Sequence, residues 1–185
     1  QTNTIVIFGA SGDLTHRKLI PALYRLQVQG RLPGNFHVVG FARRPYTHEE
    51  FRALFDDAVN QTPDYTPETW ADFISRLWYC RGDLGVRADY DALQGFLYDF
   101  EVGQSNRLFY LATSPDYYDE VLKNLSDSGL ASEEDGWRRV IVEKPFGFDR
   151  GSAAALNHTI HSAFDEHQVY RIDHYLGKET VQNLI

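Results

Sequence analysis

The sequence predicts an α/β fold in which a doubly wound, mostly parallel sheet carries helices on both faces. Short apolar runs alternate along the chain with longer amphipathic stretches, as expected for strands separated by crossover helices. Turn-forming glycines, among them Gly30, Gly34, Gly82, Gly103 and Gly129, fall in the gaps between these stretches.

Taken in order, Thr4 to Phe8 is a β-branched, apolar run and reads as the first strand. A helix is expected over Leu19 to Gln29, and its Pro21 fits only a first turn, so a short helical turn after Leu14 should precede the longer helix. Phe36 to Ala42 is the second strand. Thr47 to Gln61 is read as one helix, because Phe51, Leu54, Phe55 and Ala58 repeat at helical spacing and form one buried stripe. Pro67 to Leu77 is a helix leading into a strand at Trp78 to Arg81. Helices at Asp89 to Phe100, Pro115 to Ser128 and Arg150 to Glu166 then alternate with strands at Arg107 to Ala112, Arg139 to Val142 and Val169 to Ile172.

With 185 residues, of which 43% are hydrophobic, the chain can bury a core of its own. Its net charge of −8 and pI near 5.3 provide no basic field for DNA or RNA, so an anionic ligand would need a local pocket of cations. No stretch approaches the ~18 apolar residues of a membrane span. The single Cys80 cannot form an internal disulfide and reads as a small core residue. No secretory leader precedes the first apolar run, and the expected setting is cytoplasmic. The first residue is Gln1, and the chain ends inside an apolar pattern at Thr180 to Ile185, so it is read as a trimmed piece.

Four motifs carry chemistry. Gly9-Ala10-Ser11-Gly12-Asp13-Leu14 stands between the first strand and a helix, where glycines permit a tight turn and close approach of backbone to a pyrophosphate. Ser11 and Leu14 replace the second and third glycines of the usual dinucleotide fingerprint, and a plain strand-to-helix turn uses the same residue types. Arg43-Arg44 follows the second strand, where an NAD-binding unit would carry an acid for the ribose. An Arg there accommodates a 2′-phosphate, so Arg43 favours NADP, the alternative being a solvated Arg pair. Glu143-Lys144-Pro145-Phe146-Gly147 places Lys144 at the carboxyl end of a buried strand, facing the ligand crevice or paired with Glu143. In Arg171 to Glu179, His174, Tyr175 and Lys178 can close around one phosphate with Asp173 orienting an imidazole, unless the stretch is a polar turn and helix cap.

Other groups carry less. His158, His161 and His167 lack the carboxylate or thiol spacing of a metal site, so no metal is expected. Phe109, Tyr110, Tyr117 and Tyr118 read as core or crevice wall.

The glycine turn, the Glu143 to Gly147 stretch and the Arg171 to Glu179 stretch resemble, in order and spacing, the signature segments of the glucose-6-phosphate dehydrogenase family. The similarity extends to Asn106 to Ala112 and runs the length of the chain; the stretch Asp173 to Lys178 is its most specific part. The resemblance implies a Rossmann-like, NADP-binding domain over residues 1–178 and the start of a catalytic domain over 179–185. It implies oxidation of glucose 6-phosphate at C1 to the phosphogluconolactone, with hydride passing to NADP, as the entry step of the pentose phosphate pathway. By motif, Gly9 to Leu14 would cradle the pyrophosphate, Lys18 and Arg43 would lie near the cofactor phosphates, and Tyr118 would contact the cofactor. Lys144 would bridge cofactor and sugar, His174, Tyr175 and Lys178 would hold the 6-phosphate, and Asp173 would help fix the sugar and the catalytic dyad. The family's general base is a His further downstream than this chain reaches, so these residues alone should bind cofactor with negligible turnover. The resemblance also implies a homo-oligomer assembled largely through the following domain. One departure is Leu111-Ala112-Thr113-Ser114-Pro115, where Ser114 replaces the first Pro of the family's turn.

Two other functional readings use fewer of these features. Another NADP-dependent Rossmann oxidoreductase would explain the glycine turn and Arg43 but not Asp173 to Lys178, and a non-enzymatic nucleotide-binding module or regulatory fragment would be consistent with the general base lying further downstream.

Overall fold

A computed structural model describes residues 1–143 and 150–172. Within them six strands form one sheet: β1 (Thr2–Phe8), β2 (Phe36–Ala42), β3 (Leu77–Arg81), β4 (Ser105–Leu111), β5 (Arg138–Glu143) and β6 (Val169–Ile172). Their spatial order is β3-β2-β1-β4-β5-β6, and every neighbouring pair is parallel. This is the doubly wound Rossmann order, whose direction of travel reverses between β1 and β4. The expected fold class is therefore found, and the sheet is wholly parallel among the described residues.

Alternation along each strand divides the core. Ile5 and Ile7 of β1 and Val38 of β2 face one layer, with helices α1 (Ile20–Val28), α2 (His48–Ala53), α3 (Asp56–Val59) and α4 (Pro67–Ser75). Val6, Phe8, Val39 and Phe41 face the other, with α5 (Arg87–Tyr98), α6 (Tyr118–Asp127) and α7 (Arg150–Ala163). Burial on both faces explains why these strands read as continuous apolar runs. Among the described residues no helix is long and apolar enough to cross a membrane.

The expected elements are all present, with shifted ends and one division. The single helix expected over Thr47 to Gln61 is two, α2 and α3, broken at Leu54 and Phe55. Thr47 caps α2 through a reciprocal pair with Glu50, and Phe55 turns at the break so that its ring meets Phe51 edge-on at 5.0 Å. Asp56 then accepts a 2.8 Å bond from the Trp70 indole of α4, which fixes the second piece. Around Pro21 the short turn is a π-turn over Thr15–Leu19, in which the Ile20 N–H reaches the Thr15 carbonyl. That wider turn precedes α1, which has Pro21 in its first turn, where the missing N–H and the ring are tolerated. The expected domain boundary after residue 178 lies outside the described residues.

The N-terminal half of the central strand pair is locked by a buried ion pair. Thr4 of β1 lies opposite Arg107 of β4. The Arg107 and Glu101 side chains are each 2% exposed, joined by Nε–Oε2 and Nη2–Oε2 contacts of 3.0 and 2.6 Å. The Thr4 hydroxyl donates to Oε1 of Glu101 at 2.7 Å. A guanidinium buried to this degree is tolerable because its charge is matched and its Nε and Nη2 donate to the carboxylate. Glu101→Ala, which strands Arg107, is expected to cost about 3–5 kcal/mol, read as a lower midpoint in denaturant. Replacing both residues by apolar ones, Glu101→Leu with Arg107→Met, should recover much of that loss; a double variant as unstable as the single one would contradict the account.

Candidate functional site

The strand-order reversal opens a crevice above the carboxyl ends of β1 and β4, and the first motif sits there. β1 ends at Phe8, and Gly9 takes φ +80°. A Cβ at Gly9 would lie 2.8 Å from the Ala112 carbonyl oxygen, at the end of β4, so glycine is required both by conformation and by space. The turn is held from beneath by bonds from the Gly9 and Ala10 N–H groups to the Phe41 carbonyl, at 3.0 and 3.3 Å. Gly12 then closes it with a 3.0 Å bond to the Gly9 carbonyl.

The first helical bond runs from the His16 N–H to the Gly12 carbonyl at 3.2 Å. The N–H groups of Asp13, Leu14 and Thr15 therefore stand ahead of the helical ladder, the arrangement by which helix starts bind phosphate. Ala10 is buried, Ser11 and Leu14 are half-buried, and Gly12, Asp13 and Lys18 are exposed. Asp13 pairs with Arg17 across one helical turn at 2.7 Å in full contact with solvent. A pyrophosphate fits this turn: Gly9 and Gly12 keep side chains away from two of its positions, and the N–H groups of Asp13, Leu14 and Thr15 precede the helical ladder.

Beside it, the ends of β2 and β3 carry a second recess. Arg43 projects into solvent with 76% of its side chain exposed, and its Nη1 lies 4.0 Å from Oδ2 of Asp83. Arg43, Arg81, Gly82, Asp83 and Asp89 line a cavity of about 490 Å³. The turn bearing Arg43 is pinned by Tyr79, whose hydroxyl lies 2.9 Å from the Ala42 carbonyl and 2.5 Å from that of Arg44. Burial pushes the Tyr79 phenol up to about 12, so it remains a neutral donor to these carbonyls. Arg44, by contrast, turns to the Tyr46 hydroxyl at 3.2 Å.

At the ends of β4 and β5, Tyr110, Glu143 and Tyr118 meet. The Tyr110 hydroxyl donates to Oε1 of Glu143, and burial together with that carboxylate drives the phenol's pKa far upward. Glu143, offered by the sequence as a partner for Lys144, thus has one oxygen engaged by Tyr110. Tyr118 is only 2% exposed. Its hydroxyl lies 3.4 and 3.5 Å from the Glu143 amide nitrogen and carbonyl oxygen, and burial pushes it up to about 12. Its neighbour Tyr117 is 43% exposed at the same edge. Ser114 caps the short 3₁₀ turn Pro115–Tyr117 through the Asp116 N–H, which is what this residue does in place of proline.

The structure thus brings Gly9 to Leu14, Lys18, Arg43 and Tyr118 onto elements that border the carboxyl end of the sheet. The sequence-predicted Lys144, Asp173, His174, Tyr175 and Lys178 lie outside the described residues. Three features of this end of the sheet were not foreseen from sequence: the Tyr79 and Arg81 contacts to the turn after β2 and the Tyr110–Glu143 pair. The strand order was the signal that could have found the first two, since it sets the ends of β2 and β3 side by side.

Residues 6–183 match the family model described as glucose-6-phosphate dehydrogenase, NAD binding domain. The chain is 46% identical, over 98% of its length, to the glucose-6-phosphate 1-dehydrogenase of Chlamydia muridarum, and 47% identical over 98% to that of Aggregatibacter actinomycetemcomitans. It spans 38% and 37% of those two proteins, so it corresponds to little more than a third of each. A solved glucose-6-phosphate dehydrogenase in complex with its substrate glucose-6-phosphate superposes with a TM-score of 0.84 at 36% identity, covering 100% of this chain and 39% of that one. The Mycobacterium avium glucose-6-phosphate 1-dehydrogenase superposes with a TM-score of 0.82 at 31% identity, with the same coverage. By the extent of the matched model and the identity to these relatives, the chain belongs to the glucose-6-phosphate dehydrogenase family and corresponds to its NAD binding domain.

Proposed function

We propose that this chain supplies the NADP site and part of the sugar-phosphate site of an enzyme that oxidises glucose 6-phosphate to 6-phosphogluconolactone, the first step of the pentose phosphate pathway. The observation that carries the proposal is the glycine cradle at the strand-order reversal, in a chain whose family match spans residues 6–183. When bound, NADP supplies the hydride acceptor for C1 of the sugar. In this reading the backbone of Gly9 to Leu14 holds the pyrophosphate, Lys18 lies close to the cofactor phosphates and Arg43 takes the 2′-phosphate. Tyr118 borders the cofactor through the wall it forms with Glu143.

Lys144 bridges cofactor and sugar. His174, Tyr175 and Lys178 hold the 6-phosphate with charge-assisted bonds, and Asp173 orients the imidazole that removes the C1 hydroxyl proton. That imidazole belongs to a His beyond this stretch, and the homo-oligomer contacts are assigned to the same following domain, residues 179–185 being its start. A cytoplasmic setting fits the single cysteine, Cys80, which is buried and free.

Three measurements test this reading. In a polypeptide of the relatives' full length that carries this sequence, Arg43→Ala should raise the KM for NADP by about tenfold or more and leave NAD nearly unchanged, because only NADP has the charge that Arg43 meets. Equal losses for both dinucleotides would remove Arg43 from the 2′-phosphate. In the same polypeptide Lys178→Ala should raise the KM for glucose 6-phosphate far more than that for NADP, and an unchanged sugar KM would refute its role. The 185 residues as a separate polypeptide should bind NADP in a calorimetric titration while showing little binding or turnover of glucose 6-phosphate. An absence of NADP binding would count against the cradle.

A further inference from the structure

Resting on the reading of Arg43 as the 2′-phosphate ligand, we infer that Arg81 is a second cationic ligand of that phosphate and a determinant of NADP over NAD. β2 and β3 are parallel neighbours with Ala42 opposite Arg81, so Arg43 leaves the sheet directly beside the Arg81 side chain. The Arg81 Nε donates to the Arg43 carbonyl at 3.1 Å. That bond uses one donor of the guanidinium and orients its plane against the backbone of Arg43. The two terminal nitrogens have no protein partner among the described residues, and Arg81 lines the same 490 Å³ cavity as Arg43.

The carboxylates of this cavity are differently disposed. Asp89 accepts the Asp83 N–H at 2.7 Å, and Asp83 accepts the Gly85 N–H through Oδ1 at 3.0 Å while its Oδ2 faces Arg43 at 4.0 Å. A phosphate monoester carries about −1.5 to −2 charge at neutral pH and three acceptor oxygens. One guanidinium already shared with Asp83 does not balance that charge. Arg81 supplies the second positive charge and a free pair of N–H donors in the fork geometry that phosphate accepts. Its anchoring through Nε fixes the fork before the ligand arrives, which limits the side-chain entropy lost on binding.

A purely structural Arg81 would instead staple the turn at residues 42–44 and act on both dinucleotides alike, since both would place an adenosine against this turn. Dissociation constants for NADP and NAD, measured by calorimetry on the full-length polypeptide and its Arg81→Gln, Arg81→Lys and Arg43→Ala variants, separate the two. Arg81→Gln is expected to weaken NADP about tenfold with NAD changed less than about twofold, and Arg81→Lys to restore part of the difference by returning the charge. Equal weakening of both dinucleotides by Arg81→Gln, or none, overturns the inference. If Arg43→Ala is selective and Arg81→Gln is not, only the role of Arg81 falls; if Arg43→Ala is itself unselective, the assignment of the 2′-phosphate to Arg43 falls independently of the Arg81 result.

Discussion

Everything at the carboxyl end of the sheet depends on how closely the chain passes itself where β1 and β4 diverge. Parallel neighbours whose connections run to opposite sides leave a gap above their ends, and the gap is usable only if neither strand fills it. Here the end of β4 comes so near that a single methyl group at Gly9 would collide with the Ala112 carbonyl. The absent side chain does two things: it lets the two strands remain paired up to Phe8 and Leu111, and it bares the N–H groups of the following helix start. A larger residue would separate the strands or reshape the turn, and either change removes the cradle.

The two ends of the central strand pair answer to opposite demands. At the amino end the Glu101–Arg107 pair and the Thr4 hydroxyl lie sealed from water, and all their charge is used internally. Nearby, Arg138 is also buried, and its pKa is lowered by desolvation and by the charge of Arg107, which shows how much positive charge this region already holds. At the carboxyl end Arg43 and Arg81 are exposed and only partly engaged by protein acceptors. The buried Glu101–Arg107 pair ties the segment before β4 to β1 through Thr4, while the exposed guanidinium groups of Arg43 and Arg81 keep part of their surface in solvent.

The fold was legible because burial on both faces makes the parallel strands stand out as apolar runs, and β2 and β6 have the bounds the pattern indicated. The division at Leu54 and Phe55 was not legible: the apolar repeat passes through it at helical spacing, and the contact that accompanies the second piece, from the Trp70 indole to Asp56, comes from a different helix. The glycine turn after β1 was legible because its glycine has a stereochemical reason that local sequence carries. Tyr79, Arg81 and the Tyr110–Glu143 contact were not, because each acts across strands that are far apart in sequence, and a tyrosine or arginine at a strand end looks the same whether it meets solvent or a neighbouring turn.

That difference bears on how far family membership reaches. The cradle answers a need common to all dinucleotides, since every one of them brings a pyrophosphate to a helix start. The recess beyond β2 and β3, which the proposed reading gives to the adenosine ribose and what is attached to it, lies outside the cradle and is free to vary without disturbing it. Its shape here is set by neutral, buried Tyr79 beneath the turn and by Arg81 beside it, neither of which the glycine motif specifies. A glycine turn at the centre of the sheet therefore marks a dinucleotide-binding fold in general, while the proposed choice between dinucleotides rests on the edge of the sheet, on residues whose partners are defined by strand order rather than by motif.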